Sequence, residues 1–84
     1  MKLTKKELAW VDEMNEVLAR CPSERLGFAT TGDPTVYIFD RTKERQINEL
    51  LDRGCWDFMP AAQHLGYAAG ETLDFPVCVL STAG

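Results

Sequence analysis

Residues 35–39, Thr-Val-Tyr-Ile-Phe, carry large apolar side chains at four successive positions. Such a β-branched and aromatic run reads as a strand. Side chains alternate across a strand, so Val36 and Ile38 take one face while Tyr37 and Phe39 take the other. Residues 75–80, Phe-Pro-Val-Cys-Val-Leu, repeat the pattern, with Val77 and Val79 opposing Cys78 and Leu80. A sheet that is apolar on both faces has to be covered on both. With 84 residues the chain makes one domain and has few elements to do the covering.

The remaining elements follow from local chemistry. Thr4 and Glu7 form a capping box, with Leu3 and Leu8 placed as its hydrophobic staple. Leu8, Val11, Met14, Val17 and Leu18 then recur at helical spacing beside Trp10, until Cys21-Pro22 ends the run. Residues 26–30 read as a strand joined to residues 35–39 by the turn Thr31-Gly-Asp-Pro34. Asp40 caps a second helix over residues 42–53, with Ile47, Leu50 and Leu51 on its apolar face and Glu49 spaced to pair with Arg53. Gly54 closes that helix, and Asp57 caps a third, short one that Gly66 ends. A turn through Gly70 leads to the final strand over residues 75–80.

These elements predict an α+β fold in α-β-β-α-α-β order. Its three-stranded sheet has an antiparallel first hairpin and packs against helices. A helical crossover makes the last strand parallel to the second, or antiparallel to the first; the preferred order puts the first strand in the centre. The two longer helices roof one face of the sheet. Cover for the other falls to residues 56–67 or to another protein chain.

Residues 53–67, Arg-Gly-Cys-Trp-Asp-Phe-Met-Pro-Ala-Ala-Gln-His-Leu-Gly-Tyr, concentrate apolar area around the only histidine, His64. A segment this apolar is core or contact surface. Trp and Tyr dominate binding hot spots and are equally common in small cores. Trp56, Phe58 and Tyr67 are therefore the candidate partner-binding residues.

Composition narrows the function. Hydrophobic residues are 45% and charged residues 26%, a globular balance. Asp and Glu outnumber Lys and Arg 13 to 9, for a net charge of −4. Phosphate tracking needs a concentrated basic face, so nucleic acid is disfavoured as a partner. Lys5, Lys6, Arg41, Lys43 and Arg45 lie among acidic residues as solvated helix faces. No apolar run has signal-peptide or membrane-span length, which predicts a cytoplasmic protein without a membrane partner. Three widely spaced cysteines, Cys21, Cys55 and Cys78, predict reduced and mostly buried thiols instead of a disulfide framework. A zinc site needs clustered ligands that this spacing does not offer, so no metal or cofactor is expected.

The chemistry left open is a thiolate–imidazole pair of Cys55 and His64 with Asp57 orienting the ring. Against it, Cys55 reads as a small apolar filler and His64 as a last-turn residue favoured by the helix dipole. The Thr30–Pro34 loop lacks a phosphate-loop lysine and leads into a strand, so it reads as a turn. We therefore expect no enzyme and no catalytic residue, but a small acidic protein–protein interaction module that binds a protein partner or self-associates as a homodimer. One alternative is a small enzyme or thiol-dependent sensor using Cys55 and His64. Another is an acidic nucleic-acid mimic presenting Asp12, Glu13 and Glu16.

Overall fold

Thr4 starts the first helix, α1 (Lys5–Ala19), by the expected box: its hydroxyl accepts from the Glu7 amide at 3.2 Å, and the Glu7 carboxylate accepts from the Thr4 amide at 2.8 Å. The computed structural model describes residues 1–54 and 56–80. Strands β1 (Leu26–Ala29) and β2 (Thr35–Asp40) form the antiparallel hairpin, with Gly27 opposite Phe39 and Phe28 opposite Ile38. Gly32 turns the chain between them at φ 92°, and the Thr31 hydroxyl donates to Asp33 at 2.9 Å.

Asp40 caps a short 3-10 turn, Arg41–Lys43, by accepting from the Thr42 amide at 3.0 Å and the Thr42 hydroxyl at 2.6 Å. The hydroxyl bond, above all, holds the Asp40 carboxyl below its ordinary range; partial desolvation opposes it, while the Thr42 amide, Arg25 and Lys43 act in the same direction. Helix α2 (Glu44–Leu51) follows, shorter than its apolar spacing suggested. Glu49 pairs back to Arg45 at 3.3 Å and not forward to Arg53, because the helix has ended before residue 53. Helix α3 (Phe58–Leu65) has Asp57 at its N-terminus, but the Asp57 side chain makes no cap bond, contrary to expectation; its backbone oxygen receives the Ala61 amide. Gly66, left-handed at φ 79°, ends α3 as predicted.

The third strand corrects the sequence reading. It is β3 (Ala68–Asp74), on weak strand-formers whose sequence reads as a turn, and residues 75–80 form no strand. Helices α2 and α3 run out and back, which returns the chain to the end of β2, where the Asp40 amide donates to the Tyr67 oxygen at 2.8 Å. From that point the chain pairs antiparallel to β2 through Val36–Leu73 and Tyr37–Thr72, with a bulge before Phe39–Ala68. The order is β1-β2-β3, so the second strand is central, not the first, and among the described residues both strand pairs are antiparallel. Ladder hydrogen bonds decide the assignment over intrinsic propensity. Pro76 cannot donate to a ladder, and the segment around it instead crosses the hairpin turn, Phe75 donating to the Pro34 oxygen and Val79 to the Asp33 oxygen.

The buried core among the described residues is Phe39, Ile47, Met59, Ala61 and Ala62. It lies on the Tyr37/Phe39 face of the sheet, under α2 and α3. Ala61 and Ala62 let α3 approach closely, and Phe58 meets Phe39 edge-on with centroids 4.9 Å apart. α1 contributes no buried residue, so it does not roof the sheet as expected. The molecule measures 48 × 30 × 21 Å with a radius of gyration of 15.3 Å. A compact chain of this length has about 12 Å. It exposes 6823 Å², against about 5,000 Å² for a folded monomer of this mass.

Gly27 is the tightest point of this packing. A Cβ there would stand 2.5 Å from the Phe39 Cζ and 2.8 Å from two further ring carbons. Replacing Gly27 with Ala should overpack the hairpin and cost about 1–3 kcal/mol in denaturant unfolding. An unchanged midpoint would show that the Phe39 ring does not lie over this glycine.

Candidate protein-contact surface

At roughly 100° per residue, Leu8, Val11, Met14 and Leu18 share one side of α1, with Trp10 and Val17 along its flank. In an ordinary domain such a stripe is buried. Here Leu8 is 49% exposed, Trp10 53% and Leu18 53%, and Val11 alone in the helix is half-buried. α1 lies beside the end of β3, separated from it by a cleft of about 550 Å³ lined by Val11, Met14 and Leu18 on the helix and by Leu73, Phe75 and Pro76.

The cleft continues onto the second face of the sheet. The register puts Leu26, Phe28, Val36, Ile38 and Leu73 together on the face away from Phe39. Phe28 and Leu73 are exposed and the other three half-buried. Leu73 belongs both to this face and to the α1 cleft. Val77 and Leu80, on the segment that crosses the hairpin turn, are also exposed. Contiguous apolar area on this scale marks interaction sites in soluble proteins.

Of the three partner-binding candidates, Trp56 lies at the surface, 36% exposed, with its ring on that of His64 at a centroid distance of 4.6 Å. Phe58 and Tyr67 are half-buried against the core cluster, and Lys43 Nζ stands 5.9 Å from the centroid of the Tyr67 ring. The structure does not bring these three into one patch with α1. His64 occupies the last turn of α3, as its dipole preference suggested. Its proposed thiol partner, Cys55, lies outside the described residues. Cys21 and Cys78 are free and exposed, not buried as predicted, since the segments that carry them run over the surface. Among the described residues no group of three or more His, Cys, Asp and Glu side chains is placed to hold a metal ion, and no helix is long and apolar enough to cross a membrane. Comparison of the chain with protein-family models, curated proteins and solved structures yields no match in any of the three.

Asp12, Glu13 and Glu16 are exposed on α1, sharing the helix with Lys5 and Lys6. Their surface is mixed in sign and lies on the side of α1 away from the apolar stripe. The stripe itself was legible in the sequence; that it lies outside the core was not. The one hint was the doubly apolar strand, which demanded more cover than the chain holds.

Replacing Trp10 with Ala should therefore change the stability of the single chain by no more than about 0.5 kcal/mol. Urea unfolding in dilute solution measures this. A loss of about 3–5 kcal/mol, as for a core tryptophan, would show that α1 packs into its own domain.

Proposed function

We propose that this chain is a small acidic, cytoplasmic protein-binding module, acting by contact and not by catalysis. The observation that carries this is the apolar side of α1, exposed along its length and continuous through Leu73 with the second face of the sheet. A 15-residue helix that buries nothing is marginal in water, because nucleation is costly and propensity adds little per residue. Most helical stability in proteins comes from packing an amphipathic face. A helix with a well-made cap and an unpacked apolar stripe is completed by a partner that supplies the missing surface. Trp56 adds an exposed aromatic elsewhere on the molecule as a subsidiary contact.

A photo-crosslinking amino acid in place of Trp10 tests this directly. In cells producing the full chain, position 10 should crosslink to polypeptide, while the same group at Arg45, whose side chain is 88% exposed on α2, should not. Equal, background-level yields from both positions would contradict the proposal.

A further inference from the structure

Resting on that protein-contact role for α1, we propose that the cleft between α1 and β3 takes an extended peptide segment of a partner protein, added as a fourth strand to the free edge of β3. The order β1-β2-β3 leaves β3 paired on one side only among the described residues. The phase of the ladder fixes which of its backbone groups are free. The Phe75 amide donates to the Pro34 oxygen, and Thr35 stands opposite Asp74, so Leu73 is the residue whose N–H and C=O meet Val36 on β2. Successive residues turn these groups to opposite edges, so Thr72 and Asp74 direct theirs away from β2. Among the described residues none of those four backbone groups has a partner across that edge. The Thr72 hydroxyl donates to the Asp74 carboxylate at 2.9 Å and leaves the backbone free. Bulges and prolines are what close a strand edge to newcomers. Here the bulge lies before Thr72 and Pro76 comes after Asp74, and the edge between them is open.

That open stretch borders the cleft. Thr72, Leu73 and Asp74 line it in succession, facing Val11, Met14 and Leu18 of α1. Side chains alternate between the faces of a strand, so three successive residues share one cleft along the strand edge. At about 550 Å³ the cleft falls within the roughly 300–1,000 Å³ of clefts that hold ligands. A helix laid in it would cover the Thr72 and Asp74 backbone without bonding it, and burying unpaired polar groups is costly. An extended chain bonds them and sets its alternate side chains against the apolar stripe of α1, the division of labour of strand addition. The charged side chain lining the cleft is Asp74, Glu71 is also exposed on β3, and no lysine or arginine lines it. The entering segment therefore carries a Lys or Arg among its alternating apolar residues.

The probe is a phage-displayed library of random peptides, selected on the full chain. Selected sequences should place apolar residues at every second position, with a Lys or Arg among them. A synthetic copy of one should slow hydrogen exchange of the Thr72 and Asp74 amides about tenfold or more in the unaltered chain. Thr72→Pro removes an outward N–H without touching the ladder to β2, and should weaken binding of that peptide about tenfold. Arg45→Ala on α2 should leave it unchanged. The exchange readout uses the unaltered chain, so it decides the matter even where the proline variant does not fold. A library that yields no binder, or binders with apolar residues at helical spacing, overturns strand addition. So does a bound peptide that leaves the Thr72 and Asp74 amides fast, or one that binds the folded Thr72→Pro chain equally well. Slowing of those amides on raising the concentration of the chain alone would make a second copy the occupant and overturn the peptide. Crosslinking from position 10 decides the protein-contact role separately.

Discussion

The tip of the Phe39 ring fills the space beside Gly27 on the neighbouring strand, with Phe58 edge-on to it and Ile47 and Met59 in the same buried cluster. This contact ties the hairpin to the helical pair. Because Gly27 has no side chain, the tip of the Phe39 ring can occupy the space where a Cβ would stand. The small side chains of Ala61 and Ala62 then bring α3 within reach. Everything buried among the described residues lies on this side of the sheet. The core is small because one aromatic ring and one helical hairpin build nearly all of it.

The cost appears on the opposite side. α2 and α3 return the chain to the end of β2, so β3 adds to the sheet but brings no cover with it. The face bearing Phe28, Val36, Ile38 and Leu73 is left to α1, which lies alongside the sheet end and does not close on it. Burial of apolar area drives both folding and association. This chain uses one face of its sheet for the first and leaves the other partly exposed.

How far the sequence revealed this depends on the range of the interaction. Local devices were legible: the Thr4/Glu7 box, the Asp40 cap, the hairpin, and Gly66 in the left-handed conformation all arise from residues within a few positions. The third strand was not, because Ala68–Asp74 is a strand by virtue of its ladder with β2, while the β-branched residues 75–80 lack a ladder to join. The candidate surface was half visible. The apolar stripe of α1 and the doubly apolar strand could both be read, and so could the shortage of cover. Which element was left over could not, since that turns on α3, a short helix interrupted by Pro60, packing tightly enough to serve as the roof that α1 was expected to provide.

Amide hydrogen exchange tests most directly whether α1 is held by a partner and not by its own domain. In dilute solution the α1 amides should exchange nearly as fast as an unprotected helix, while those of β2 remain protected at the level of global unfolding. Protection of α1 equal to that of β2 in dilute solution would contradict an unpartnered helix and place α1 in the core of the single chain.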